Sequence, residues 1–314
     1  MFCAGTNVRA QVRFGGQRPQ YKRFQGAQNF LFRWAAKPTF YRDVGIITAG
    51  AAGVFVWNLE EVPISGRRRF NIVSAELEAS LGKSSVDEVK QQYQGRFLPE
   101  YDSRVIRVKK VLDRLIPFAE AAGLHDTNWE VNVIDSPEQN AFVVPGGKVF
   151  VFTGLLHLCQ NEDSIAAVLG HEIAHVVAHH TAERVSQSPL IFLGMVMLWA
   201  VDVSFMTSNL LLQLFLSWPA SRKQEAEADY IGLMMMAEGC YRPEAAMEFW
   251  RKMEQLGQRG PPQILSTHPS HHNREEKIRE WLPKAYEKAE LSDCHATRTY
   301  ADQFAAAFGG SSRW

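Results

Sequence analysis

The chain has 314 residues, with 34 Lys and Arg against 34 Asp and Glu, 46% hydrophobic and 22% charged. That supports one main domain with appendages, and the zero net charge gives no ground for a nucleic-acid partner. The four cysteines, Cys3, Cys159, Cys240 and Cys294, are scattered with no CxxC pair, so they read as reduced, structural or incidental thiols rather than a disulfide framework or a cysteine-bound metal.

Residues 1–42 carry Arg9, Arg13, Arg18, Lys22, Arg23, Arg33, Lys37 and Arg42 and no acidic residue. An Arg-rich, acid-free leader of this length suits a mitochondrial transit peptide, and a disordered basic tail is the alternative. The apolar run VGIITAGAAGVFVWNL (44–59) follows. It is slightly shorter than the roughly 20 residues of a spanning helix. Flanking aromatics could extend it, so residues 43–60 are expected to anchor the chain in a membrane. A buried core helix or a removable sorting signal are the other readings. Basic residues lie on both sides of the run, so charge does not orient it.

Beyond VPISGRRRF the expected domain occupies residues 61–290, an α+β, mostly helical fold with a small mixed β-sheet. Three-to-four apolar spacing marks helices over 72–94 and 102–122. WEVNVI (129–134) alternates as a strand does. Two more strands, 140–144 and 148–152, flank the turn Pro145-Gly146-Gly147. A helix starting at the cap Asn161 runs through the histidines to about Arg184. The hydrophobic stretch 189–218 is broken by Asp202 and MTSN. Each piece is too short to span alone, so it reads as a helical hairpin that covers the domain or dips into a bilayer, a second span being the alternative. Helices resume after Pro219, with stops at Gly239 and Gly257, a loop to about 270, a charged last helix and a C-terminal tail over 291–314.

Chemistry concentrates in HEIAHVVAHH (171–180). His171 and His175 lie one helical turn apart on one face, so both imidazoles can reach one ion at roughly 2.0–2.1 Å. Glu172 projects beside that ion, placed to take a proton from water. This is the HExxH arrangement of zinc peptidases. A catalytic site needs a third protein ligand. His179 lies too far along the axis at about 1.5 Å rise per residue. It and His180 are expected to cap or pack on the helix surface. SRKQEAEADYIG (221–232) offers Glu225 as the ligand, with Asp229 one turn on to accept an N–H from a ligand histidine. Glu227 is expected to point elsewhere, into solvent.

These two stretches, with NAFVVPGGKVFVFTGLL (140–156) and STHPSHHNREEKI (266–278), resemble the membrane-associated HExxH metallopeptidases that include the bacterial heat-shock protease HtpX and the CAAX prenyl proteases, and VPISGRRRF, near the basic leader and a single anchor, points to one branch of them. Within them the sequence is most similar to the stress-responsive branch of the mitochondrial inner membrane, whose activity overlaps that of the m-AAA protease. The resemblance covers roughly residues 62–285, and departs at His179, where the family often has Arg. It implies a gluzincin-type domain holding one Zn2+ through His171, His175 and Glu225, with Glu172 as general base. It implies a substrate strand pairing along Asn140, Ala141 and Phe142, and draws His268 and Arg274 toward the cleft, where each could stabilise the oxyanion. The expected substrates are misfolded or regulated inner-membrane proteins, with the lipid bilayer as a further partner, the peptidase domain facing the intermembrane space, and self-association open. The competing readings are a non-catalytic, zinc-containing membrane adaptor and a prenyl-protein protease of the endoplasmic reticulum.

Overall fold

The computed structural model describes residues 32–62, 64–187, 221–257, 263–268, 273–292 and 294. Most of the basic leader, the hydrophobic stretch 189–218 and the end of the C-terminal tail lie outside these residues. The described chain divides into a unit ending at Trp57 and a larger one beginning at Asn58.

The first unit holds helix α1, Phe40–Trp57, which buries none of its residues. It covers most of the expected membrane anchor, an expectation the structure does not support. Among the described residues no helix is long and apolar enough to cross a membrane. Eighteen residues rise about 27 Å, short of the roughly 30 Å hydrocarbon layer. Arg42 and Asp43 lie inside the helix as an ion pair, and Gly45, Gly50 and Gly53 dilute its apolar character.

The second unit is mostly helical with two small sheets. It opens on an antiparallel hairpin, β1 (Leu59–Glu61) and β2 (Arg68–Phe70), outside the strands expected at 129–152. Helix α2 (Ala75–Gln92) starts at Ser74, whose side chain accepts from the Leu77 N–H. Helix α3 (Ser103–Ala121) starts at Asp102 and buries Val105, Val108, Leu112, Leu115 and Ala119, the three-to-four stripe read from the sequence.

Strands β3 (Glu130–Ile134), β4 (Ala141–Val144) and β5 (Lys148–Phe152) form a sheet in the order β3-β5-β4. β3 runs parallel to β5 and β4 antiparallel to it, so the sheet is mixed and β4 is an edge. The β4–β5 turn uses Gly146 and Gly147 at φ +96° and +80°, a region glycine enters without steric cost. At Gly147 a Cβ would also meet Thr127 Cγ2 at 2.4 Å.

Helices α4 (Thr153–Leu158) and α5 (Glu162–Val177) follow. α5 is capped by Asn161 and has Glu162 and Asp163 at its positive end. It ends at Val177, earlier than the sequence suggests, because His179 adopts φ +47°. The chain restarts there as α6 (His180–Gln187). α7 (Arg222–Glu238) begins with a capping box between Ser221 and Gln224. α8 (Glu244–Gly257), α9 (Gln263–Thr267) and α10 (Arg274–Leu291) complete the domain. α5 lies at its centre, packed on α7, α3, α8 and β4.

The α5–α7 crossing is close because glycine meets glycine. A Cβ on Gly232 would stand 2.9 Å from Gly170 C and from His171 N. Cys240 and Cys294 form a disulfide across 54 residues, which corrects the reading of scattered reduced thiols. Among the described residues Cys159 is the free cysteine, buried in the core.

Candidate active site

α5 presents His171 and His175 on one face, and the glycine contact lets α7 lay Glu225 and Asp229 against them. The Nε2 atoms of His171 and His175 are 3.1 Å apart. Glu225 Oε2 lies 3.4 Å from His171 Nε2, and its Oε1 lies 3.4 Å from His175 Nε2. His268, just past α9, adds its Nδ1 at 3.2 Å from His171 Nε2 and 3.0 Å from Glu225 Oε1. One donor atom from each of these four residues falls within 4.8 Å of every other. Donors at about 2.0–2.1 Å around a tetrahedral ion stand about 3.3–3.4 Å apart, close to the spacings here. Glu225 Oε2 and Glu172 Oε1 are buried with no hydrogen-bond partner. Oxygens left so are costly in an apolar interior. A cation among these donors accounts for the first, so the residues fit a metal ion.

Glu172 points beside this set, with Oε1 3.3 Å from His268 Nε2. Burial raises its carboxyl above the ordinary value, which suits a base that must also release its proton. Burial likewise pushes Glu225 up, but His268, His171 and His175 outweigh it and hold the carboxyl well below the usual range. Burial holds the His175 ring well below its ordinary value, hence neutral. For His171 burial is outweighed by Asp229 and Glu225, and its pKa rises to about 9.

The rear of each ring is also held. His171 Nδ1 lies 2.9 Å from Asp229 Oδ1. Asp229 accepts a 2.6 Å hydrogen bond from Arg274, whose guanidinium sits 3.3 Å over the Trp250 ring. Arg274 is thus buried behind His171 rather than at the cleft, where the resemblance had drawn it. His175 Nδ1 lies 2.7 Å from His180 Nδ1, and His180 Nε2 lies 2.9 Å from Glu227 Oε2. Glu227 is not solvated as expected. It is 6% exposed and accepts from Arg67 Nε at 2.7 Å and from the Ser65 hydroxyl. Arg67 also grips Glu183 with two bonds of 2.7 and 2.6 Å. His179 turns instead to Glu78, at 2.6 Å.

A cleft of about 30 Å³ opens onto Glu172, His175 and His268, with Phe142, Val143 and Thr181 on its walls. This has room for water at the reacting position. A larger hollow of about 760 Å³ lies elsewhere, between α3 and β3, away from the histidines. Asn140 takes no part in the cleft wall. Its carbonyl pairs with the Phe152 N–H, and its side chain caps the Ala141 N–H. By antiparallel alternation Ala141 and Val143 turn their backbone groups to the open edge. Sequence reasoning missed Arg67, His180 and Glu227. Their signal was slight, since a run of three arginines and one acid among several on a helix ordinarily face water.

A buried HExxH pair joined by a glutamate from a neighbouring helix, beside an edge strand, defines a metallopeptidase. The model of peptidase family M48 matches residues 103–282. The mitochondrial metalloendopeptidase OMA1 of Schizosaccharomyces pombe is 44% identical over 282 residues, 88% of this chain and 80% of that protein. Its namesake in Saccharomyces cerevisiae is 36% identical over 304 residues, covering 91% and 88%. The human metalloendopeptidase OMA1 is 37% identical over 254 residues, covering 76% of this chain and 48% of that protein. The chain belongs to peptidase family M48 and is a metal-dependent endopeptidase of mitochondria.

Proposed function

We propose that the metal is zinc, held by His171, His175 and Glu225, and that the enzyme works at the mitochondrial inner membrane on misfolded or regulated membrane proteins. The observation that carries the zinc reading is the buried convergence of three imidazoles and one carboxylate, an N/O donor set of the kind zinc prefers. When bound, zinc supplies Lewis-acid polarisation of the scissile carbonyl and acidifies water.

The side chains do the rest. Glu172 removes a proton from the attacking water and delivers it to the leaving amine. A catalytic site keeps one position open, and His268 is the donor suited to yield it. It hangs at the end of five-residue α9, its N–H bonded to Ile264 O, whereas the other three donors sit on long helices. Displaced, its ring stays near the reacting carbonyl, where an N–H stabilises the oxyanion. Asp229, backed by Arg274, orients His171. The substrate backbone pairs with the open edge of β4 at Ala141 and Val143, beside Phe142.

Two features support the location. Disulfides persist in oxidising compartments, so Cys240–Cys294 favours a domain facing the intermembrane space over one in the reducing matrix. Helix α1 leaves Ile46, Ile47, Val56 and Trp57 60–89% exposed, an apolar surface suited to contact with lipid. The adaptor and prenyl-protease readings gain nothing from the relatives, which are named as mitochondrial endopeptidases.

The test is metal content and cleavage of an unfolded membrane-protein substrate by purified protein. Glu172→Gln is expected to keep one zinc per chain and lose cleavage. Glu225→Ala is expected to lose both. Cleavage by Glu172→Gln, or full zinc in Glu225→Ala, would overturn the assignment.

A further inference from the structure

We propose, resting on the metal-site reading above, that His180 is a positioning residue. With Glu227 and Arg67 it forms a relay that fixes the ring of His175 and the tautomer that turns the Nε2 lone pair toward the metal.

The proton bookkeeping admits one neutral arrangement. His175 must leave Nε2 bare to donate to a metal, so its proton sits on Nδ1. That N–H donates to His180 Nδ1, 2.7 Å away. His180 then carries its own proton on Nε2 and donates it to Glu227 Oε2 at 2.9 Å. Glu227 is held by Arg67 and Ser65, and Arg67 by the two oxygens of Glu183. Each contact has one donor and one acceptor. The relay ends on two carboxylates sharing one guanidinium. This surplus of negative charge draws the Nδ1 proton outward and strengthens Nε2 as a donor.

The backbone is shaped to allow the contact. In an unbroken helix a residue five positions on lies about 140° around the axis and about 7.5 Å along it. His180 could not then touch the rear of His175. The left-handed turn at His179 ends α5 and swings His180 back. A non-glycine residue in this region is uncommon, and such strain gathers at functional sites. His171 has the shorter equivalent, Asp229 backed by Arg274.

A purely structural role would use the same contacts to tie α6 and α7 to the hairpin. Two substitutions separate the roles, because each keeps half of the imidazole. The Oδ1 of His180→Asn takes the place of Nδ1 and accepts from His175, but nothing reaches Glu227. The amide nitrogen of His180→Gln takes the place of Nε2 and donates to Glu227, but His175 loses its acceptor. The full-length protein is purified in detergent and stripped of metal. Co2+ affinity is then read from visible absorption, beside thermal unfolding of the metal-free form and kcat and KM of the zinc-loaded form.

Loss of such an outer contact typically weakens metal binding or activity 10–100-fold. His180→Gln is expected to show that loss in Co2+ affinity and kcat, with KM and metal-free unfolding near wild type. His180→Asn, which keeps the acceptor for His175 but cuts the link to Glu227, is expected to fall between wild type and His180→Gln in Co2+ affinity while unfolding at lower temperature. Wild-type Co2+ affinity in His180→Gln, or weaker binding in His180→Asn than in His180→Gln, would overturn the proposal and leave a scaffold. If either variant fails to fold, Glu227→Gln removes charge without shape. It is expected to weaken Co2+ binding about tenfold, and unchanged binding overturns the relay. Failure of the underlying reading looks different, since wild type would then take up no Co2+ or Glu225→Ala would bind it equally well.

Discussion

Replacing Gly232 with alanine tests whether the helix crossing sets the metal geometry. The new Cβ would stand 2.9 Å from Gly170 C, 2.9 Å from His171 N and 3.0 Å from Gly170 O. All three are backbone atoms, so no side chain can rotate away and the helices must separate by several tenths of an ångström. Alanine gains about 0.5–1 kcal/mol over glycine inside a helix. Overpacking of this kind costs about 1–3 kcal/mol, and contacts under 3.0 Å put this site toward the upper end. The net is about 1–2 kcal/mol destabilising, or a fall in Tm of about 2–8 °C for a domain of this size. The same displacement moves Glu225 and Asp229 away from His171, now 3.4 and 2.9 Å apart. Misplacement approaching an ångström costs up to about 100-fold in rate. Gly257→Ala is the control, because its Cβ meets only Leu265 Cδ1, the tip of a flexible side chain, at 3.1 Å. Circular dichroism melts and zinc content of the two variants, beside cleavage rates, decide the matter. Unchanged Tm and zinc in Gly232→Ala, or equal losses in both variants, would refute the role given to the crossing.

Cys240→Ser opens a 54-residue loop. Chain entropy sets the loss near 4 kcal/mol as an upper value, readable as a lower urea midpoint that reductant reproduces in wild type. At Glu183 burial raises the carboxyl, but Arg67 and Gln224 outweigh it and lower its pKa. Its contribution is therefore full above the unfolded value of about 4.3 and fades as pH falls toward the lower folded one. The stability gap between wild type and Glu183→Gln, measured by urea unfolding, should narrow from pH 6 toward pH 3, and a gap that widens on acidification contradicts the sign. Val143→Pro removes an N–H from the open edge of β4 that β5 does not use. Peptide cleavage should drop at least about tenfold in kcat/KM through lost strand pairing with zinc retained, whereas unchanged cleavage places the substrate elsewhere. Phe150→Ala empties a fully buried site stacked on Phe142 and should cost about 3–5 kcal/mol in denaturant unfolding.

Local spacing made part of the site legible. Four-residue intervals put His171 beside His175 and Glu225 beside Asp229 on shared helix faces, and Pro-Gly-Gly marked the turn that makes β4 an edge. The rest depended on events that leave little trace in composition. A single left-handed residue at His179 turned His180 inward. The β1–β2 hairpin carried Arg67 across 160 positions to Glu227. The cysteines are 54 positions apart, and only the folded helices bring their Cα atoms to 5.2 Å. The anchor expectation finds no support for a countable reason, since the apolar run forms an 18-residue helix whose first turn carries Arg42 and Asp43.

Arg67 comes from the first hairpin of the domain and Arg274 from its last helix, and each neutralises a carboxylate on α7. The buried carboxylates of that helix are therefore neutralised only after both distant segments have docked. Without either one, a buried carboxylate behind a ligand histidine loses its counter-charge, so the two ends of the domain jointly support the rear of the site.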